Sequence, residues 1–145
     1  MHKKKVAIIG ANGFLGLSIS KSLSKKGYEV YGLIRNETSS NQSIYKNLKI
    51  KTIVVGDLEK IKDINLQGNK FDYIINLAAR AHTRKNLFIQ GEKVIQSLNN
   101  IERNIVKNFD VKNVKLIQLS SAKVKLKRAK PKVSDNELIY INAKL

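Results

Sequence analysis

The sequence predicts an α/β fold in which a doubly wound parallel sheet is covered by helices on both faces. Short apolar segments typical of buried strands alternate with longer segments of helical periodicity. The first apolar segment ends in closely spaced glycines, and a helical pattern follows at once. Strands that alternate with helices are joined by right-handed crossovers, which make the strands parallel. The length of 145 residues predicts one domain, covering residues 1–145.

The individual elements follow from apolar periodicity. The predicted strands cover residues 6–9, 28–34, 51–55, 71–77 and 114–119. Residues 13–26 carry apolar side chains at helical spacing, and Gly27 is expected to end that helix because glycine readily adopts a left-handed conformation. Residues 85–109 predict one or two helices that would separate at Gly91, and residues 36–42 predict a polar surface connection.

The chain is strongly basic, with 28 lysine and arginine residues, 11 acidic residues and a formal net charge of +17. A positive field attracts anions such as nucleotides, nucleotide sugars, nucleic acid or an acidic membrane surface. The lysines are spread along the sequence, however, so lysine-rich composition is the simpler interpretation. Neither nucleic acid nor a membrane is therefore the expected partner.

Missing residue types and segments exclude several classes of protein. Cysteine is absent, which excludes disulfides, thiolate catalysis and cysteine-ligated metal. His2 and His82 are far apart and lack an accompanying carboxylate cluster, so no metal site is expected. The apolar run behind the basic amino terminus is too short for a signal peptide, and no segment is long enough to span a bilayer. These observations predict a cytoplasmic protein.

Gly10, Gly13 and Gly16 follow the first strand with the spacing Gly-x-x-Gly-x-x-Gly. The first would allow a sharp turn, the second a close approach of the backbone to a pyrophosphate, and the third close packing of the helix on the sheet. The amides of the first helical turn would face the phosphates. The first gap is one residue longer than in the Gly-x-Gly-x-x-Gly fingerprint, and a purely structural turn is the alternative. We expect a dinucleotide at this turn.

Other predicted strand ends also carry suitable residues, and ligands bind at the carboxyl ends of parallel strands. Arg35 follows the second strand, where a guanidinium would favour the 2′-phosphate of NADP; an exposed arginine without that role is the alternative. Residues 57–58 follow the third strand and could meet an adenine, or Asp57 could cap a helix. Residues 77–79 are small enough after the fourth strand for the backbone to run beside a cofactor.

The last group of candidate catalytic residues is a serine pair at the end of the fifth strand, followed by Tyr140 and Lys144. Residues four apart on a helix project from the same face. A nearby ammonium stabilises the phenolate, so the tyrosine can act as general acid or base, and Ser120 or Ser121 could hydrogen-bond the same substrate oxygen. A Tyr-x-x-x-Lys pair also arises by chance, and it gains weight from the serine pair and the glycine turn upstream.

Together these motifs resemble the extended short-chain dehydrogenase/reductases, and among them the NAD-dependent epimerase/dehydratase branch that acts on nucleotide sugars. The runs at residues 77–82 and 119–124 are especially similar to 4-epimerases and 4-ketoreductases of cell-surface polysaccharide pathways. The resemblance implies a Rossmann-type domain that holds NAD or NADP, a nucleotide-sugar substrate, and Ser121, Tyr140 and Lys144 as catalytic residues. The cofactor-binding residues expected from the motifs and the resemblance are Gly10, Asn12, Gly13, Phe14, Leu15, Gly16, Arg35, Asp57, Leu58, Leu77, Ala78, Ala79 and Lys144.

The sequence also departs from this family. Members follow the valine at the position of Val124 with Tyr-Gly, where this chain has Lys125 and Leu126. The sequence stops one residue beyond Lys144, whereas members continue into a substrate-binding lobe. We therefore expect a truncated domain with little or no activity alone. Two alternatives stay open: an active enzyme completed by a partner chain or a second copy, and a polyanion-binding module that uses the basic run at residues 123–132.

Overall fold

The computed structural model describes residues 3–78, 87–109 and 112–119. Within these ranges the elements are β1 (Lys5–Ile9), α1 (Phe14–Lys25), β2 (Glu29–Ile34), α2 (Ser39–Asn47), β3 (Lys51–Val54), β4 (Tyr73–Asn76), α3 (Leu87–Asn108) and β5 (Lys115–Gln118). Neighbouring strands are parallel, and their order across the sheet is β3-β2-β1-β4-β5. The predicted doubly wound parallel sheet is confirmed.

The sheet is built outward from β1 in both directions. β2 and β3 lie on one side of β1, and the chain then crosses back to place β4 and β5 on the other side. The connections that leave the carboxyl ends of β1 and β4 diverge, so a crevice opens between these ends, where ligands bind in sheets of this kind. The register sets Ile9 of β1 beside Leu33 of β2 and Asn76 of β4, which brings the three strand ends to one level.

Each face of the sheet is covered by its own apolar core because successive side chains of a strand point to opposite faces. Ala7 and Ile9 belong to the core beneath α3, whereas Val6 and Ile8 belong to the core beneath α1 and α2. All four side chains are at most 1% exposed. The glycine turn therefore leaves the most deeply buried strand of the sheet, which holds that turn in place.

Gly27 ends α1 as the sequence predicts. Its φ of +87° lies in the left-handed region, which glycine adopts without strain. The Gly27 amide donates to the carbonyl of Ser24 at 3.0 Å, and the Tyr28 amide donates to that of Leu23 at 3.2 Å. These two bonds satisfy carbonyls at the end of the helix.

The connection after β2 differs from the prediction. Part of the segment 36–42, predicted as a surface connection, is helical, because α2 begins at Ser39. The polar composition of α2 hides the helix from periodicity analysis. Its Tyr45 is 2% exposed and packs in the core beneath α1 and α2, so tertiary burial of this ring stabilises the helix.

The long helix α3 is one continuous element. It passes through Gly91 without interruption, although glycine costs about 1 kcal/mol relative to alanine inside a helix. Burial of Leu98, Ile101 and Ile105 against the sheet offsets that cost. In the described part of the chain, no helix has the length and apolar character needed to cross a membrane.

Candidate functional site

A pocket of about 330 Å³ lies where β1, β2 and β3 end. Its apolar lining includes Ile9, Leu33 and Val55. Ile9 is the last residue of β1, and Leu33 and Val55 lie next to the last residues of β2 and β3. Six residues predicted from the sequence to bind a cofactor line it, namely Gly10, Asn12, Arg35, Asp57, Leu58 and Ala78. The fold therefore brings together residues that are spread over almost 70 positions of the sequence.

Gly10 makes the turn out of β1. Its φ is +79°, and its amide donates to the carbonyl of Leu33 at 3.2 Å. A Cβ at this position would lie 3.3 Å from the backbone of Leu77 and Ala78. The turn thus requires glycine both for its backbone conformation and for the close approach of the segment that follows β4.

Gly13 and Gly16 place the amino terminus of α1. The Gly13 amide donates to the Gly10 carbonyl at 3.0 Å, and the Gly13 carbonyl accepts the first helical hydrogen bond, from Leu17. The amides of Phe14, Leu15 and Gly16 precede that bond at the start of the helix. A Cβ on Gly16 would lie 2.6 Å from the Cα of Ala11. The helix can therefore approach β1 only because position 16 has no side chain.

The two apolar side chains at the start of α1 point away from the core. Phe14 is 91% exposed and Leu15 is 47% exposed, whereas Gly16 and Ser20 are the buried residues of the helix. The close helix–sheet contact at Gly16 explains this, because small residues occupy the face that meets the sheet. The side chains of Phe14 and Leu15 are therefore not required for the core, and the backbone amides of these two residues can donate to a ligand at the turn.

Arg35 and Asp57 form an ion pair across the mouth of the pocket, with the Arg35 Nη2 3.5 Å from the Asp57 Oδ1. The two side chains are 63% and 30% exposed. An ion pair this long and this exposed contributes at most about 1 kcal/mol, so either partner can turn to a ligand at small cost. The same Asp57 oxygen accepts a hydrogen bond from the Glu59 amide at 3.1 Å.

Asp57 does not cap a helix. Its carbonyl accepts from the amides of Lys60 and Ile61, which closes a turn, and the residues that the structure describes between β3 and β4 contain no helix. The loop needs other partners for its backbone polar groups. They come from α3: Asn104 Nδ2 donates to the Leu58 carbonyl at 2.7 Å, and Asn108 Oδ1 accepts from the Ile64 amide at 2.7 Å.

Sequence reasoning missed this pair of asparagines. Asn100, on the same helix, is exposed and takes no part in this contact. Asn104 and Asn108 are four residues apart, so they share one helix face, and that spacing is the only signal in the sequence. The partner loop lies more than 40 positions away, so the sequence alone does not connect them.

Asn76 organises the crevice on the side of β4. Its side chain is 1% exposed, its Nδ2 donates to Gln118 Oε1 at 2.7 Å, and its Oδ1 accepts from the Ala78 amide at 3.0 Å. The buried amide therefore ties the end of β4 to β5 and sets the course of residues 77–78 beside Gly10. Both hydrogen-bonding ends of this buried amide are satisfied.

Several predicted functional residues lie outside the described part of the chain. They are Ala79, Ser121, Tyr140 and Lys144, together with the basic run at residues 123–132. Their assignment rests on the sequence motifs and stays a prediction.

Comparison with known proteins gives a relative by sequence and solved structures with the same fold. The chain is 29% identical over 140 residues to phenylcoumaran benzylic ether reductase IRL1 from Ginkgo biloba, a match that covers 89% of this chain and 45% of that reductase. The structure of the NADH-dependent reductase A1-R′, responsible for alginate metabolism, is similar with a TM-score of 0.74 and 14% identity, covering 98% of this chain and 66% of that one. The F189W actinorhodin polyketide ketoreductase, solved with NADPH, gives a TM-score of 0.69 and 15% identity, covering 98% and 60%.

At these identities the two solved structures show a shared fold. The chain spans about half the length of the Ginkgo reductase. The model of the NAD dependent epimerase/dehydratase family matches residues 6–140, a range that starts in β1 and includes the glycine turn and the whole pocket. This chain belongs to the NAD dependent epimerase/dehydratase family.

Proposed function

We propose that this chain binds NAD or NADP at the carboxyl edge of the sheet, with the diphosphate at the start of α1. The observation that carries the proposal is the turn at residues 10–16. It leaves the first amides of α1 without helical partners, and position 13 carries no side chain, where a Cβ would lie only 3.3 Å from the Gly10 carbonyl oxygen. Free amides and the positive end of the helix dipole together favour an anion.

The pocket fits the adenosine half of such a cofactor. Its volume of about 330 Å³ is at the small end of ligand pockets, which range from about 300 to 1,000 Å³. Leu58 and Val55 offer apolar contact for a base, and the Asp57 carboxylate and nearby backbone offer hydrogen bonds. The residues present therefore fit an adenine nucleotide beside the proposed diphosphate site.

A nicotinamide cofactor supplies hydride transfer when bound. We assign the accompanying proton transfer to Tyr140, with Lys144 binding the nicotinamide ribose and stabilising the phenolate, and Ser121 bonding the same substrate oxygen. The substrate that we propose is a nucleotide sugar, as in 4-epimerases and 4-ketoreductases of polysaccharide synthesis. These assignments rest on the sequence motifs. The family model's match includes Ser121 and ends at Tyr140, which supports the placement of those two residues, whereas Lys144 lies beyond the matched range.

We further propose that these 145 residues by themselves bind cofactor but have little or no turnover, because they cover only about half of a relative's length. The same partial coverage of the relative favours one alternative. In it, a partner chain or a second copy of this chain supplies the missing part of the active site, and the assembly is an active enzyme. Turnover of a UDP-sugar that is lost in Tyr140→Phe would establish this alternative.

The proposed cofactor binding is tested by titrating NADPH and NADH and following nicotinamide fluorescence. We expect a saturable change in emission for at least one of them below millimolar concentration. Saturation with ADP-ribose should reverse the change, because it carries the adenosine, the diphosphate and the second ribose of the cofactor but lacks the fluorescent nicotinamide. If neither cofactor binds at millimolar concentration, the proposed function is wrong.

Arg35→Ala is expected to weaken NADPH binding about tenfold, since a hydrogen bond to a charged group contributes about 1.5–3 kcal/mol. NADH binding should change less than twofold. Lys25→Ala, which removes an exposed positive charge from the last turn of α1, is the control for a general loss of charge and should affect neither affinity. An equal loss for NADH and NADPH would show that Arg35 does not read a 2′-phosphate.

Asn104→Leu is expected to lower the stability of the fold by about 1 kcal/mol, because the Leu58 carbonyl loses its partner. It should also weaken cofactor binding several-fold, since Leu58 and Asp57 then lose their fixed position in the pocket wall. Asn100→Leu is the matched control, because that side chain is exposed on the same helix. Chemical denaturation and cofactor titration of both variants check the prediction, and unchanged cofactor affinity in Asn104→Leu would contradict it.

A further inference from the structure

The edge of the sheet opposite the pocket collects positive charge. Because all described strands are parallel, their amino-terminal ends lie together at this edge. β1, β3 and β5 each begin with a lysine, and a further lysine precedes β1. We call these four residues, Lys4, Lys5, Lys51 and Lys115, the basic edge.

Two tyrosine rings hold the four ammonium groups in place. Lys51 and Lys5 lie with their Nζ atoms 5.2 and 5.8 Å from the centre of the Tyr31 ring. Lys4 and Lys115 lie 5.5 and 6.0 Å from the centre of the Tyr73 ring. The rings attract the cations and order the lysine stems. These contacts restrict the lysine side chains along the edge, so less side-chain entropy is lost when the charges meet an anion.

Acidic residues neutralise only part of this charge. Glu29 pairs with Lys51 and accepts from the Tyr31 hydroxyl; the hydrogen bond from Lys51, and then that from Tyr31, lowers the pKa of the Glu29 carboxyl. Asp72 accepts from the backbone amide of Lys5 at 2.7 Å. Four further lysines stand within three residues before a strand and are exposed: Lys3, Lys49, Lys70 and Lys112. The edge as a whole is strongly positive.

We propose that the basic edge binds a single-stranded nucleic acid through its phosphates. Lys51 of β3 and Lys115 of β5 are separated by four strand spacings of about 4.8 Å, so the charge forms a line of roughly 19 Å rather than a flat patch. A line of cations of this length matches several successive phosphates of one extended strand, the usual electrostatic track for single strands. The tyrosine rings are covered by lysines, so binding is independent of base sequence.

An acidic membrane fits the edge less well. Surface helices and loops that bind membranes combine basic residues with apolar side chains that insert among the lipids. In the described ranges, the exposed large apolar side chains lie on the helices, at the end of β3 and beyond the first residue of β5. The basic edge itself offers charge without an apolar anchor.

The test is fluorescence anisotropy of a fluorescein-labelled oligothymidylate of about 15 nucleotides, a length that single-strand binding sites cover, titrated with the protein over a range of salt concentrations. The edge variant combines Lys4→Gln, Lys5→Gln and Lys115→Gln. The control variant combines Lys21→Gln, Lys60→Gln and Arg103→Gln, which lie on α1, in the loop after β3 and on α3. Each variant loses three charges, from +17 to +14 by subtraction.

We expect the unsubstituted protein and the control variant to bind with similar affinity. The edge variant should bind about tenfold more weakly, and the slope of log K against log salt should fall in magnitude by about 2, which is 0.7 for each of three lost phosphate contacts. Circular dichroism establishes that the variants are folded. If the edge variant is not folded, the single change Lys115→Glu, at an exposed side chain, should weaken binding several-fold instead.

Four results would overturn the proposal. The first is the absence of binding at low salt, and the second is an equal loss of affinity in the edge and control variants. The third is displacement of the oligonucleotide by saturating NADPH, which would mean that the oligonucleotide phosphates bind at the carboxyl edge of the sheet, beside the pocket. The fourth is binding to phosphatidylserine vesicles without binding to the oligonucleotide.

Discussion

Gly13→Asp is expected to remove cofactor binding while the fold stays as stable as in the unsubstituted protein. Gly13 is the N-cap residue of α1, with φ −77° and ψ 167°, values that any residue can adopt. A Cβ there would lie 3.3 Å from the Gly10 carbonyl oxygen, a tight contact that a small shift of the turn relieves. Aspartate is a better N-cap than glycine by a few tenths of a kcal/mol, and its charge suits the helix dipole. The same carboxylate would stand where we place the diphosphate. Juxtaposed like charges cost several kcal/mol, so affinity should fall about a hundredfold or more.

The substitution is informative because it should remove binding without lowering stability. A loss of binding that came from damage to the fold would be accompanied by a lower melting temperature, and here none is expected. Gly13→Ser supplies a neutral capping oxygen as the matched control, and it should lose much less affinity than Gly13→Asp. Cofactor titration and thermal unfolding of both variants check the prediction. Undiminished binding in Gly13→Asp would contradict a diphosphate at the turn.

Gly16→Ala is expected to destabilise the fold by about 2 kcal/mol. Helix propensity alone predicts the reverse, a gain of about 1 kcal/mol from replacing glycine by alanine. A Cβ at position 16, however, would lie 2.6 Å from the Cα and 2.7 Å from the carbonyl carbon of Ala11, and backbone atoms cannot move aside as a flexible side chain can. Overpacking of this kind costs about 1–3 kcal/mol, occasionally more. Contacts this short with backbone atoms belong at the upper end, about 3 kcal/mol, which leaves a net loss of about 2 kcal/mol after the gain in helix propensity.

Gly27→Ala separates this steric effect from backbone strain. A Cβ on Gly27 has no atom within 4 Å among the described residues, so its cost is the left-handed conformation alone, about 1 kcal/mol. Denaturant unfolding should therefore rank Gly16→Ala below Gly27→Ala in stability. Gly27→Ala should also keep the full cofactor affinity, since Gly27 lies at the far end of α1. If Gly16→Ala were more stable than the unsubstituted protein, the close approach of α1 to β1 would be refuted.

The glycines could be interpreted from the sequence because each answers a local constraint. Gly10 and Gly27 have positive φ angles, and Gly16 meets backbone only five or six positions earlier in the chain. The buried strands could likewise be predicted, since parallel strands covered on both faces appear as continuous apolar runs. Local sequence patterns of this kind are therefore enough to predict the β1–α1 turn and the buried strands of the sheet.

Elements held by distant contacts could not be predicted. α2 has few apolar residues and depends on the burial of Tyr45 against the sheet. The pocket wall depends on the hydrogen bond between Asn104 and the Leu58 carbonyl, which joins positions 46 residues apart. The ion pair of Arg35 with Asp57 spans 22 positions, so each residue could be proposed as a ligand contact but their mutual contact could not. The basic edge could not be predicted either, because its lysines are far apart in the sequence and only the parallel sheet brings them side by side.

The central claim is that a nucleotide diphosphate binds the amides at the start of α1. It is tested most directly by recording the backbone amide NMR resonances of isotope-labelled protein while ADP-ribose is added. We predict that the largest shifts occur at Phe14, Leu15 and Gly16, with smaller shifts at Asp57 and Leu58 around the pocket. Binding of ADP-ribose that leaves the resonances of Phe14, Leu15 and Gly16 unchanged, or shifts only residues of the basic edge, would contradict the claim.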